Sequence, residues 1–421
     1  MFWRLLYSFL WLLCFPGILF YFVYRGSKNP AYFNALFQRF SLYSPGIIKH
    51  LRGRCIHVHC ASLGEVNALS ALLPELLKAY PESPLLVTNS TPAGAQRVHD
   101  LFGDQVSQLM APLDGFFTSH LFVICLKPRV SLFSEVEIWP NWLAALAKNE
   151  RPLILLNARL SKKSARKYAR LAALFKPALQ RFTAIYGQDK ASTRRYHCFN
   201  PATELLGNLK FVQPTKAPEL PVGVEHKYPW PQPVWIAGSV HPEELDIILS
   251  TQQQLRAQIP NALLILAPRH LERFSLCLQQ TQAAGLSVVQ RSLHQQPTAG
   301  EAVWLLDTLG ELKSFYGLAN IAFVGGSLIE RGGHNPLEPA GLGLPVIMGP
   351  SQTNCLASAN ELKKAGGLKT VQTSEQLLSA LMLWWQDGEA YQQASEAGPA
   401  VVNKNNQVLS KQLVLLRRHI S

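Results

Sequence analysis

Residues 323–350, FVGGSLIERGGHNPLEPAGLGLPVIMGP, constrain the fold more than any other stretch. An apolar run ends in Gly325-Gly326, a polar loop carries Gly332-Gly333, Asn335-Pro336 marks a helix start, and a second apolar run fills 344–348. Strand, glycine turn, helix and strand in that order form the unit of a doubly wound parallel sheet, which binds ligands at the carboxyl ends of its strands. Gly333 would let a ligand come close to the backbone, and the helix start at Asn335 offers free N–H groups to an anion. Glu338 has two readings: a capping-box acid reaching back to the Asn335 N–H, or a carboxylate taking both hydroxyls of a ribose. Spacing does not choose between them.

The same alternation recurs along the chain. CIHVH, PLLVTNS, RVSLFSE, PLILLNA and AIYG lie between residues 54 and 211 with helical patterns between them, and predict one open parallel sheet. VWIAGS, ALLILAP, SVVQ, AVWLLD, NIAFVGG and LPVIMG predict a second. Residues 214–233 hold six prolines and no period, so they read as a linker. Two such sheets joined by one linker are expected to form a cleft, the usual place for a ligand. Residues 372–421 read as helical throughout.

Residues 5–24 carry no charge, a helix of about 30 Å, one bilayer core. Aromatics crowd both ends, and the run ends in Phe, Val and Tyr rather than in the small residues of a cleavage site. Pro16-Gly17 would kink it, so the anchor either spans or is half-embedded. No Asp or Glu precedes Glu65, while Arg4, Arg25, Lys28, Arg39, Lys49, Arg52 and Arg54 all do. With a net charge of +13, this bias points to an anionic membrane surface, with the body on the cytoplasmic side. Nucleic acid is not expected, since no recognised motif for it is visible. The seven cysteines are odd in number and scattered, which argues against a disulfide framework. Cys55, His57, His59 and Cys60 alternate along a strand without a second ligand pair, so no metal site is expected.

The loops after the apolar runs carry the chemistry. In AGSVHPEE (237–244) an N-cap is the plain reading, and a phosphate held by Ser239, His241 and free N–H groups is the functional one. Arg269, after ALLILAP, either forks onto a phosphate or carboxylate or makes a surface ion pair. Glu65 follows Gly64 at a helix start, either as a dipole partner or as a general base that the N–H groups keep ionised. Arg159, Lys162, Lys163 and Arg166 bunch on one helical segment, either as a solvated face or as a surface for lipid phosphates.

Taken together, SLGE (62–65), STPAG (90–94), EVEIWPN (135–141), LNARLS (156–161), GNLKF (207–211), AGSVHPEE, APRHLERF (267–274), DTLGEL (307–312) and FVGGS…GGHNPLEP (323–339) resemble the 3-deoxy-D-manno-octulosonic acid (Kdo) transferases. The resemblance implies an α/β chain of GT-B fold, two Rossmann-like domains facing a cleft, with an N-terminal membrane-anchor helix. The expected boundaries are 1–25 anchor, 26–213 acceptor-binding domain, 214–233 linker, 234–395 nucleotide-sugar domain, and 396–421 a C-terminal helix able to pack back on the first domain. It implies transfer of Kdo from CMP-Kdo to the 6′-hydroxyl of a lipid A precursor, lipid IVA, at the inner membrane, with inversion, no cofactor and no required metal. By position Glu65 resembles the family's base. Ser239, His241, Arg269, Gly333, Asn335 and Glu338 fall in its donor loops, and Arg159, Lys162, Lys163 and Arg166 are the acceptor candidates. Residues 351–362, SQTNCLASANEL, depart from the aromatic-bearing segment that the family has there. The alternatives are another membrane-associated GT-B enzyme using a UDP-sugar, and a non-catalytic scaffold binding anionic lipid through the same basic surface.

Overall fold

In the first sheet β1 (Ile56–His59), β2 (Leu85–Asn89), β4 (Val130–Ser134) and β5 (Leu153–Ala158) are buried along their whole length, which is why they read as unbroken apolar runs. With β3 (Ser107–Met110), β6 (Ala184–Gly187) and β7 (Thr203–Leu205) they form a seven-stranded sheet in the order β3-β2-β1-β4-β5-β6-β7. Every pairing in it is parallel. A second seven-stranded parallel sheet, in the order β10-β11-β9-β8-β12-β13-β14, follows. Its strands are β8 (Val234–Val240), β9 (Leu263–Pro268), β10 (Val288–Gln290), β11 (Val303–Leu305), β12 (Ile321–Val324), β13 (Val346–Met348) and β14 (Leu368–Thr370). These are features of a computed structural model that describes residues 2–33, 35–212, 217–221, 223–224, 233–298 and 300–420.

Two compact units result, Met1–Val212 with Gln407–Ser421, and Gln213–Asn406. Each sheet separates two apolar layers, as alternation along a strand requires: Ile56, Val58 and Val87 go to one side in the first unit, Leu86, Phe133 and Leu155 to the other. In the second unit Trp235, Ala237 and Leu264 face one layer and Val234, Ile236 and Ile265 the other. The α/β class and the GT-B type are therefore those expected. Most of the proline-rich stretch 214–233 lies outside the described residues.

The edge strands β3, β7 and β14 add to the runs seen in the sequence; β7 is TEL, with two of its three residues exposed. The helix at Asn335-Pro336 is a short one, Leu337–Gly341. The C-terminal stretch is two helices, Ser374–Gln386 and Gly388–Ile420, broken at Asp387.

The strand order reverses beside β1 and β4 in the first unit and beside β8 and β12 in the second. At such a reversal the loops diverge to opposite faces and leave a crevice at the carboxyl ends of the strands.

Candidate functional site

Glu65 belongs to the helix Leu63–Leu69 that follows β1, and it reaches back to the reversal point of the first sheet. Its Oε2 accepts from the Ala61 N–H at 2.9 Å and from the Ser134 hydroxyl, at the end of β4, at 2.5 Å. Among the described residues its Oε1 accepts only from the Ser62 hydroxyl, at 3.0 Å. Gly64 lies within this helix rather than in a turn before it. Glu65 is 8% exposed, and burial raises its pKa, seconded by the charge of Glu137; the bonds from Ser134 and Ala61 oppose this without cancelling it. The N–H groups of the helix start were expected to hold Glu65 down, and burial outweighs them.

Glu137 goes the other way. Burial pushes it up, but the hydrogen bond and charge of His59, with a bond from Trp139, bring it below its ordinary value. His59 Nε2 lies 3.4 Å from Glu137 Oε2, and Trp139 Nε1 donates to the same oxygen at 2.8 Å. Two neighbouring carboxyls with pKa values driven apart is the arrangement that separates a base from a standing anion. His57 and His59 are buried and share the Thr88 hydroxyl at 2.9 Å each, His57 also meeting Ser131 at 3.1 Å. Both imidazoles are thus engaged inside the sheet. Glu135, with φ 54°, is in the left-handed region that non-glycine residues seldom adopt, and its carboxylate pairs with Lys210 at 2.6 Å.

Arg159 follows β5, held there by a bond from its N–H to the Glu135 carbonyl at 3.1 Å. Lys162, Lys163 and Arg166 lie on the next helix, Lys162–Arg170, capped by Ser161. All four are exposed, and no acid pairs with them among the described residues.

In the second unit the loops after β8, β9 and β12 converge. The Gly326, Ser327 and Leu328 N–H groups all donate to Glu244, at 2.8, 3.0 and 3.0 Å. Glu244 is fully buried and also takes the His241 N–H at 3.0 Å. A carboxylate of the chain's own thus fills the amide nest, and the side chains around it are left to meet a ligand. His241 Nε2 is 3.4 Å from His334 Nε2 with the rings stacked, and the His270 ring lies 5.7 Å from that of His241. Burial, then Arg269, His241 and His270, bring His334 down to about 4. Ser239 is half-buried at a bulge of β8, with φ 58°. The structure therefore gathers Ser239, His241 and Arg269, and adds His270 and His334, which the sequence reading did not single out.

Gly333 differs from expectation. With φ 71° its N–H bonds the Gly326 carbonyl at 2.7 Å, and a Cβ there would lie 2.9 Å from the Ser351 carbonyl and the Met348 methyl. The glycine is required by the protein's own backbone. Asn335 Oδ1 accepts from the Leu337 N–H at 3.1 Å. Glu338 is half-buried, 3.6 Å from Lys313. In the departing segment, Asn354 donates to the Arg331 carbonyl at 2.8 Å and Ser351 accepts from the Gly332 N–H at 3.0 Å, so this loop braces the glycine turn.

Residues 34–213 match a family model described as 3-deoxy-D-manno-octulosonic-acid transferase (kdotransferase). The chain is 34% identical over 424 residues to the 3-deoxy-D-manno-octulosonic acid transferase of Haemophilus influenzae, covering 99% of each. Among solved structures it is similar to the UDP-GlcNAc 2-epimerase of Neisseria meningitidis bound to UDP-GlcNAc, with 13% identity, a TM-score of 0.53, and 85% of this chain and 99% of that one covered. It is also similar to the C-terminal CMP-Kdo binding domain of WaaA from Acinetobacter baumannii, with 31% identity, a TM-score of 0.40, and 41% and 89% covered.

Proposed function

Because the chain belongs to the Kdo transferase family, we propose that it moves Kdo from CMP-Kdo to the 6′-hydroxyl of a lipid A precursor, lipid IVA, with inversion, at the cytoplasmic side of the inner membrane. The observation that carries this reading is Glu65. A base for a sugar hydroxyl needs proton affinity and a free lone pair, and Glu65 has both: its pKa is raised, and among the described residues Oε1 has one donor where a carboxylate oxygen accommodates two. Glu137 is the poorer base, since His59 and Trp139 both engage its Oε2 and bring its proton affinity below the ordinary value.

In the proposed step Glu65 Oε1 takes the proton of the acceptor hydroxyl while that oxygen bonds to the anomeric carbon of Kdo. The bond from this carbon to the CMP oxygen breaks with its electron pair, and CMP departs as an anion. Arg269 and the imidazoles of His241, His270 and His334 meet that anion, and charge-assisted bonds of this kind are each worth about 1.5 to 3 kcal/mol. Glu338 and Asn335 are assigned to the nucleotide, and Arg159, Lys162, Lys163 and Arg166 to the phosphates of the acceptor. Among the described residues one helix, Phe2–Lys28, is long and apolar enough to cross a membrane, in keeping with a lipid substrate.

The test is the full chain with CMP-Kdo and a lipid A precursor, the lipid product being read by mass spectrometry. The parent should add Kdo, and Glu65→Gln, which keeps the shape, should be slower by about 10² to 10⁴. CMP affinity should stay as it was, since the lost contact belongs to the transition state. The parent's rate should fall as the pH drops through a pKa above the ordinary carboxylate range, because protonated Glu65 cannot act as a base. A Glu65→Gln enzyme within a few fold of the parent, or no Kdo transfer by the parent, overturns the proposal.

A further inference from the structure

The covered positions of the helix Phe2–Lys28 include 4, 7, 8, 11, 15, 18, 22 and 26. They recur every three or four residues, which is one face of an α-helix. The first unit itself covers that face from one end to the other. Tyr7 Oη donates to Asp114 at 2.9 Å and Ser8 Oγ to Asn141 at 3.0 Å. The Trp11 ring lies where a Cβ on Gly115 would be 2.8 Å away, and Phe15 meets Phe40 edge-on at 6.0 Å. The Arg39 guanidinium stands 4.8 Å over the Phe22 ring, and Phe33 fits against Gly26. From Tyr7 to Gly26 this seam is about 29 Å long, the thickness of a hydrocarbon core.

A helix that crosses a bilayer leaves its polar body at one surface. Here the body lies alongside for the whole crossing length, so an upright helix would have to abandon the seam or draw Asp114, Asn141 and Arg39 into hydrocarbon. An ionised group at the bilayer centre costs at least about 2.5 to 3.5 kcal/mol. The outer face has no such conflict. Phe9, Leu12, Leu13, Phe20 and Val23 are all more than half exposed, and Phe117, two residues beyond the Gly115 that Trp11 covers, is 80% exposed. Arg25 and Lys28 close the helix, and no acid is present before Glu65 to repel an anionic headgroup.

We infer that this helix is an in-plane anchor: it lies along the first unit at the level of the headgroups, its outer face is covered by the acyl chains of anionic lipid, and it does not cross the bilayer. The N-terminus then stays on the same side of the membrane as the body. This rests on the membrane setting proposed above and adds the topology to it.

The test places one epitope before Met1 and another after Ser421 of the full chain, and treats inverted inner-membrane vesicles and spheroplasts with a protease. Both epitopes should be lost together from the vesicles and both kept in the spheroplasts. Loss of the C-terminal epitope alone from the vesicles, with the N-terminal one lost from spheroplasts, is what a crossing helix demands and overturns the inference while leaving the membrane setting intact. A chain that a carbonate wash releases as a soluble oligomer puts a second copy on the apolar face. That result overturns both.

Discussion

Arg269 is exposed at the carboxyl end of β9, and no acid pairs with its guanidinium among the described residues. Its neighbour His334 is brought down to about 4, first by burial and next by Arg269, so at neutral pH the imidazole is uncharged. Arg331 is engaged with Glu243 at 3.5 Å. Much of the positive charge available to a donor phosphate therefore rests on Arg269. Arg269→Ala should weaken CMP binding by about 1.5 to 3 kcal/mol by titration calorimetry, and Arg269→Lys should recover only part, a point charge replacing a fork. The sign of a second readout is fixed as well: removing a positive neighbour makes protonation easier, so His334 should titrate at a higher pH by NMR, still below an ordinary histidine because burial persists. Unchanged CMP affinity with an unmoved His334 would take Arg269 out of the site. Arg269 and His241 could be singled out from sequence because each stands just after an apolar run. Glu244 could not, because the three amides that hold it are more than eighty residues away and nothing local marks a carboxylate as their partner.

Elements were legible in proportion to their burial. β2, β4, β5 and β9 have no exposed position and appear as apolar runs, whereas β3 and β7 are polar edges whose strand character comes only from pairing with β2 and β6. The basic helix Lys162–Arg170 was legible as an element, and its purpose is decided by whether its charges meet anything. None of its residues is buried, and it carries no acid to offset its five basic residues. If it serves lipid phosphates, Lys162→Glu with Lys163→Glu should weaken binding of the full chain to vesicles rich in anionic lipid by roughly 2 kcal/mol or more, at about 1 kcal/mol per charge removed. The difference should shrink in 0.5 M salt as screening shortens the reach of each charge. Equal binding of the variant at low salt would make this helix a solvated face only.

At the scale of the whole molecule, the last turns of the helix Gly388–Ile420 belong to the first unit although most of the helix belongs to the second. Val408, Leu416 and Ile420 join the layer that holds Ile56, Val58, Leu132 and Leu209. Arg129 donates to the Ile420 carbonyl at 3.2 Å, and Val408 fits against Gly207, where φ is 128° and a side chain would have no room. The sequence reading takes the C-terminal helix as able to pack back on the first domain but does not name the residues it meets, because they lie some two hundred residues or more earlier in the chain. Ending the chain at Asn406 removes three buried apolar side chains from the first unit, worth roughly 1.5 to 3 kcal/mol each. Their sum is comparable to the whole stability of a domain, about 5 to 15 kcal/mol. The truncated chain should therefore lose the urea transition of the first unit, or show it at much lower denaturant, while the second unit, which keeps its full core, binds CMP with the parent's affinity. A first unit that unfolds where it did before would mean that these three side chains add nothing to its core, and loss of CMP binding together with that transition would mean that the two units do not fold independently.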